Sequence, residues 1–512
     1  MPFSPGPEVL RSVNKLVLTT IQEVTPFPMD RIRLQANSLL DKVVDGGYCV
    51  GCGACAAVGG SFLRMELDEL GLFKPEWSKA PVPEALEADL AALCPFSDRC
   101  LDEHQIGRQL YQGLGMFDRK LGYYRSVYAG FVIEGDFRER GSSGGVARWV
   151  LCNLLGKGMI DAVVQVVPSL PSEAEGLLFQ YQITASMDDV KKGARSAYYP
   201  VEMSRVLRMI EDKPGVYAVV GLPCFIKAIR LLSSRYPVFA ERVRFCIGLV
   251  CGHLKSSRYA EMLAWQLGIL PGQLMGIDFR LKLPGRKASE KGIEIIGFRD
   301  DKKVKATKVG RELFGADYNY GFLKYKACDY CDDVFAETAD LALGDAWLPQ
   351  YLQDGKGTNI LIVRCPEIDG LLKREMAKGN LHLDRLDPRW AVKSQQAAIR
   401  HRREGLSYRL YLAEKAGIWH PPKRVKPRFN HIGQQRRYIY ELRMKMAEES
   451  HTAFAQARKE GDFQVFQSRM EGFIFEYKRL YRSAFPLHKR LESLLRRSFH
   501  LLRELVVGRT TH

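Results

Sequence analysis

An α/β fold built on a mostly parallel or mixed sheet is the class this sequence predicts, and three observations predict it. Between residues 126 and 395, short β-rich runs alternate with helical patterns, the order expected of βαβ units. Cysteines crowd the first 125 residues and recur just beyond several of those runs. From residue 396 the strand signal stops and helical periodicity with basic residues takes over. The chain therefore reads as a cysteine-rich segment (1–125), an α/β core (126–395) and an all-helical basic tail (396–512).

The strands justify the core in order. Ser126–Val132 (SVYAGFV) and Asp161–Val167 (DAVVQVV) come first, then Val216–Val220 (VYAVV), Val243–Val250 (VRFCIGLV) and Ala339–Leu343 (ADLAL). The first four are short runs containing β-branched residues and ADLAL is a shorter apolar run, as strands of a largely parallel sheet are expected to be. Beyond the Pro-rich basic stretch His420–Arg428, Gly461-Asp462 is the expected break between two tail helices.

Length and composition bound the rest. With 512 residues, two or three domains are expected, and 46% hydrophobic with 26% charged residues is ordinary for a soluble protein. MPFSPGPEVLRSV does not read as a signal peptide, and no run of about 18 apolar residues occurs. The expectation is a cytoplasmic protein in a reducing compartment, where 12 cysteines serve as metal ligands or in catalysis instead of in disulfides. Of the net charge of +17, residues 423–512 carry +11, so the basicity belongs mainly to the tail.

Cys49, Cys52 and Cys55 form C-x2-C-x2-C in YCVGCGACAA. Three thiolates so spaced can wrap one face of a cubane iron–sulfur cluster, and Gly51 and Gly53 permit the tight backbone this needs. Zinc is the rival, although zinc sites usually pair two C-x2-C knuckles. A ferredoxin run would place its fourth Cys-Pro where this chain has Gly59-Gly60; Cys94-Pro95 supplies one further on, with Cys100 in reserve. Cys328 and Cys331 form a separate C-x2-C, which alone suits a redox pair or half a zinc site. Cys224 and Cys251 each follow a strand, and residues beyond strand C-termini gather along one edge of a parallel sheet. Those four cysteines can therefore complete a second set. Cys152, Cys246 and Cys365 lie in apolar stretches and read as core.

Arg140–Val146 (RGSSGGV) stands between a strand and the helical pattern ARWVLCNLL. Its glycines suit close backbone approach to a ligand, and a helix N-terminus suits an anion, but a Gly-Ser turn is more often a plain loop. Its company gives it weight. CVGCGAC, GSSGGV, GLPCFIKAI, CGH, KACDYCDD and ADLALGDAW, in this order across residues 45 to 390, resemble the beta subunit of hydrogenases and dehydrogenases that use coenzyme F420. Plant 7-hydroxymethyl chlorophyll a reductase is similar. The resemblance implies an FAD-containing reductase with one or two [4Fe-4S] clusters, the first in a ferredoxin-like N-terminal segment. It implies flavin contacts at Ser142, Ser143, Gly144 and Gly145, while RSAYY at Arg195–Tyr199 lacks the Lys of the family's Lys-Tyr element.

Two residues carry open alternatives. His253, beside Cys251, is either a proton donor to a reduced substrate or a structural histidine hydrogen-bonded near the cluster. Asp345, in LGDAW, either contacts the flavin ribityl chain or caps a turn. The expected function is electron transfer between clusters, FAD and a small conjugated or deazaflavin-type substrate, with a donor protein such as ferredoxin as a candidate partner. The alternatives are an electron-transfer subunit of a larger complex and a zinc-stabilised binding module. In the tail, Leu487, Leu491, Leu494, Leu495, Phe499, Leu502 and Leu505 predict an amphipathic helix over Pro486–Val507. Its basic face reads either as solvated or as docking to anionic lipid or an acidic protein, which would make the protein peripheral at a membrane. No nucleic-acid-binding motif accompanies the charge.

Overall fold

The computed structural model describes residues 39–77, 83–169, 176–193 and 195–483. Fifteen strands occur among them. The N-terminal segment holds the hairpin β1 (Leu63–Leu67) and β2 (Phe73–Trp77), followed by a small hairpin, β3 (Met116–Asp118) and β4 (Gly122–Tyr124). The core supplies β5 (Ser126–Val132), β6 (Ala162–Pro168), β7 (Phe179–Thr184), β8 (Tyr217–Gly221) and β9 (Val243–Leu249). A separate antiparallel sheet then follows, formed by β10 (Leu274–Leu281), β11 (Gly292–Arg299) and β12 (Lys302–Val309). The chain returns through β13 (Leu341–Asp345), β14 (Asn359–Val363) and β15 (Leu381–Arg385).

The main sheet has eight strands in the order β15-β5-β14-β13-β9-β8-β6-β7. Its centre, β13-β9-β8-β6, is parallel, and antiparallel strands flank it on both sides, so the sheet is mixed. Period-two alternation sorts its residues into two cores. Tyr128, Val163, Ala218, Leu361 and Val363 face the helices Val146–Gly156 and Pro366–Ala377. Val127, Val164, Val219, Ile360 and Ile362 belong to the other face, with Phe225, Ile229 and Leu232 of the helix Pro223–Arg235. Apolar residues at every position are what a strand buried on both faces requires.

All five strands read from the sequence occur, within two residues of the expected bounds. The sheet β10-β11-β12 was not among the expectations. Its outer strand KKVKATKV is largely exposed, so its apolar signal is weak.

The tail helices Gln434–Glu460 and Phe463–Ser483 break at Gly461, whose left-handed φ of 70° ends the first of them. Met446, Ala453, Phe454, Phe466 and Met470 join the same buried cluster as Phe322 and Leu323, and Leu323 donates its N–H to Ser450 Oγ at 2.8 Å. The stretch His420–Arg428 is not a solvated linker. Arg424 from it is buried between Glu103 (3.2 Å), Asp332 (3.1 Å) and Glu337 (2.6 Å). The amphipathic stretch Pro486–Val507 lies outside the described residues. Among those described, no helix is long and apolar enough to cross a membrane.

Candidate functional site

The strand directions collect the candidate residues at one sheet edge. β8 and β9 are adjacent and parallel; Cys224 sits in the first turn of the helix after β8, and Cys251 lies two residues beyond β9. The segment after Cys331 runs back along β9, with Cys251 N–H donating to the Val334 carbonyl at 3.1 Å and Asp340 N–H to that of Cys246 at 2.9 Å. This returns Cys328 and Cys331 to the same edge. Burial, then the nearby thiols Cys331, Cys251 and Cys328, push the Cys224 thiol well up. The sequence-based set of four is brought together.

The first set converges likewise. Burial, then Cys52, Cys49 and Cys55, push the Cys94 thiol well up. Cys100 instead donates to the Ser97 carbonyl at 3.4 Å. The loop takes its shape from Gly51 and Gly53, with φ of 65° and 81°. A Cβ at Gly51 would lie 2.6 Å from the Phe73 carbonyl oxygen. Backbone N–H groups point at sulfur in both sets, from Gly51 to Cys49 at 3.3 Å and from Leu254 to Cys328 at 3.2 Å. The two sets also adjoin: Cys52 acts on Cys224, and both act on the buried Tyr181, whose hydroxyl donates to the Val220 carbonyl at 2.9 Å.

Three described features test whether these thiols suit a cluster. No group of three His, Cys, Asp or Glu side chains among the described residues could hold a single metal ion. A cubane, being larger than one ion, spreads its thiolates more widely. N–H donors at ligand sulfurs are a known means of tuning such clusters. Third, the buried Arg402 donates to the Gly252 carbonyl and lies 3.9 Å from Cys251 Sγ, while its Nε and Nη1 have no partner. A buried cation beside four thiols fits an anionic group.

The Gly-Ser turn lies at the same edge, beyond β5. Ser143 donates to the Thr358 carbonyl at 3.1 Å, and Ser142 accepts from Ser196 Oγ at 3.2 Å. The turn's glycines are needed for packing inside the fold. The left-handed φ belongs to Gly145 (83°) and not to Gly144. A Cβ at Gly144 would lie 2.6 Å from the Gly130 carbonyl oxygen and 2.8 Å from Asn359 Oδ1. Lys282 clamps the turn by donating to the carbonyls of Arg138 and Ser143. Beside it opens a cleft of about 360 Å³ whose lining includes Arg140, Arg148, Lys191, Lys192 and Arg195, with Asp278 as its one acidic residue. Such a lining suits phosphate.

Asp345 ends β13, but its carboxylate is held in a two-point ion pair by Arg280, at 2.5 and 3.0 Å. His253 is buried with its ring stacked on Tyr318, centroids 3.8 Å apart. Burial, with Lys255 and Lys324 nearby, pushes it well below the usual histidine range. Its ring Nε2 is buried and has no hydrogen-bond partner among the described residues. Tyr198, from RSAYY, lies 5.2 Å from Tyr318 between ring centroids and joins the cleft residue Ser196 to the surroundings of Cys251. Lys282, Arg280, Asn359 and Arg402 were not singled out from the sequence. None belongs to a spaced motif, and only Tyr198 stood in a quoted element.

The mixed α/β sheet thus carries two adjoining four-cysteine sets and a basic cleft on one edge. Residues 127–208 match the N-terminal part, and residues 215–389 the C-terminal part, of the coenzyme F420 hydrogenase/dehydrogenase beta subunit family. Together these cover about half of the chain, and the chain belongs to that family. An uncharacterised protein of Methanocaldococcus jannaschii is 25% identical over 383 residues, 69% of this chain and 94% of its own length. One of the subunits of the F420H2 dehydrogenase of Methanosarcina mazei is 24% identical, over 60% of this chain and 78% of its own. The coenzyme F420-dependent sulfite reductase of M. jannaschii is also 24% identical, over 72% of this chain but only 53% of its own length. Among solved structures, the F420-reducing [NiFe] hydrogenase complex from Methanosarcina barkeri contains a chain with 16% identity and a TM-score of 0.40, aligned over 56% of this chain and 92% of that one. The dehydrogenase and the sulfite reductase among these relatives are oxidoreductases, and the family places this chain among F420-related electron-transfer proteins.

Proposed function

We propose that this chain is an iron–sulfur flavoprotein oxidoreductase. Cys49, Cys52, Cys55 and Cys94 would hold one [4Fe-4S] cluster, and Cys224, Cys251, Cys328 and Cys331 a second. FAD would lie along the Gly-Ser turn with its phosphates toward the basic cleft. The substrate would be a small deazaflavin-type or conjugated molecule. The observation that carries the reading is the convergence of eight thiols, from five separate stretches of chain, into two adjoining sets. When bound, the clusters supply one-electron carriers, and the flavin links them to two-electron chemistry.

The chain's own residues bind, orient and exclude water. The first-set loop is anchored to the core by Met203 N–H on the Cys52 carbonyl at 2.9 Å. Tyr181 is buried close to Cys224 of one set and Cys52 of the other, and Tyr198 packs on Tyr318, which is close to Cys251. Lys282 keeps the turn in place, and Arg280 fixes the end of β13 through Asp345. His253 packs there on the ring of Tyr318.

A second reading, an electron-transfer subunit whose substrate site lies on another protein, is favoured by the relative described as part of a dehydrogenase. One anaerobic experiment addresses both. Iron, sulfide and flavin are quantified, then reduced deazaflavin, reduced ferredoxin and a reduced nicotinamide are added in turn while flavin bleaching is followed. About eight irons and one flavin per chain are expected. Bleaching without turnover of any small acceptor favours the subunit reading. Stoichiometric zinc without iron overturns both.

A further inference from the structure

We infer that Arg402 is the fixed counter-charge that raises the reduction potential of the group held by Cys224, Cys251, Cys328 and Cys331, an inference that rests on the iron–sulfur reading of that set. Arg402 comes from outside the family-matched residues, which end at 389. It lies in the π-helical turn His401–Gly405, between the helices Gln396–Arg400 and Leu406–Lys415. This turn carries it under the sheet edge, where the residue is 2% exposed.

Its partners are unusual for a buried guanidinium. Nη2 donates to the Gly252 carbonyl and lies 3.5 Å from the Cys251 carbonyl and 3.9 Å from Cys251 Sγ. Nε and Nη1 have none. Two neighbouring arginines have a carboxylate at hand: Arg403 meets Glu337 at 3.2 Å, and Arg409, whose Nη1 is also unpartnered, lies 3.9 Å from the Asp329 carboxylate. The charges that act on Arg402 most strongly are Cys331, Cys251, Cys328 and Cys224, in that order. A buried cation without an anion carries a large desolvation cost, so its position calls for negative charge at those four sulfurs.

The consequence follows from electrostatics. On reduction, a four-thiolate cluster takes up one electron from an external low-potential donor and becomes one unit more negative, with no bond made or broken. A cation at this range favours the reduced form over the oxidised one, and burial limits screening by salt. Because arginine stays charged at all accessible pH values, the effect adds no proton uptake of its own.

The test uses the full chain with both clusters loaded, as Arg402→Gln and Arg402→Lys, in dithionite titrations followed by electron paramagnetic resonance. Arg402→Gln should shift the reduction equilibrium of one cluster about ten- to a hundredfold toward the oxidised form, a fall of about 60–120 mV at 59 mV per decade. The other cluster should not move, and Arg402→Lys should restore most of the difference. An unchanged potential in Arg402→Gln, an equal shift of both clusters, or an equal shift in Arg402→Lys would overturn the inference. If Arg402→Gln fails to retain the second cluster, retention becomes the readout. Retention by Arg402→Lys alone supports the charge, and loss from both variants overturns it. Unsubstituted protein that binds no iron instead overturns the proposed function and this inference with it, whereas normal iron with unmoved potentials overturns only the inference.

Discussion

At the scale of single residues, Gly144 and Lys282 show how the flavin turn depends on its own scaffold. From the sequence, a side chain at Gly144 is expected to block a ligand. Its Cβ would instead meet the Gly130 carbonyl and Asn359 inside the fold. Gly144→Val should therefore lower stability by about 1–3 kcal/mol, as overpacking does. The drop in melting temperature should be the same with and without added FAD; flavin loss at unchanged stability would assign the glycine to the ligand after all. Burial, then Lys291, Arg138 and Arg195, bring Lys282 down to about 7. Between about pH 7 and its unfolded value near 10.4, the unfolded chain binds this proton and the folded chain does not. Stability should therefore rise with pH from about 7 upward and be least below it. Lys291, lowered to about 8, adds to the upper part of the rise. Thermal melts of flavin-free protein from about pH 6.5 to about pH 8.5 check this. Lys282→Met should flatten the lower part of the rise, and an unaltered slope would count against the assignment.

At the scale of elements, the basic tail divides into parts with different roles. The stretch around Arg424 is pinned to Glu103, Asp332 and Glu337, which hold the guanidinium charged and are themselves buried. Arg424→Ala would leave three buried carboxylates short of a cation, a loss of about 3–5 kcal/mol. Urea denaturation would reveal it, and a loss below about 1 kcal/mol would mean that the network relaxes freely. Removing residues 423–512 should therefore expose core and cause aggregation. The docking proposal for the amphipathic stretch is better tested by ending the chain at 483. That protein should remain soluble and coloured, and should lose sedimentation with anionic vesicles at low salt if the stretch is a membrane anchor. Identical sedimentation of the two proteins would remove that role.

At the scale of the whole molecule, the two cysteine sets form one assembly spanning the N-terminal segment and the core. Cys55→Ala should halve the iron, from about eight to about four per chain, and leave flavin in place. It should also remove any magnetic coupling between the reduced clusters, because only one cluster would remain. Loss of flavin together with iron would mean that the first loop supports the flavin site as well.

The sequence by itself determined five of the fifteen strands found among the described residues, and which cysteines could act together. Runs such as SVYAGFV and VRFCIGLV can hide their apolar residues only in a sheet covered on both faces, and C-x2-C-x2-C is a local geometry. Even the union of Cys224 and Cys251 with Cys328 and Cys331 was legible, because adjacent parallel strands end at one edge. Tertiary structure alone decided the rest. The antiparallel flanks of the sheet, the β10–β12 sheet and the closeness of the two cysteine sets depend on pairings between distant segments. The approach of Arg402 to a cysteine 151 residues away, and of Arg424 to Asp332 across 92, leaves no periodic or spaced signal in the chain. Such contacts are fixed by the packing of whole elements, and that packing is written only in three dimensions.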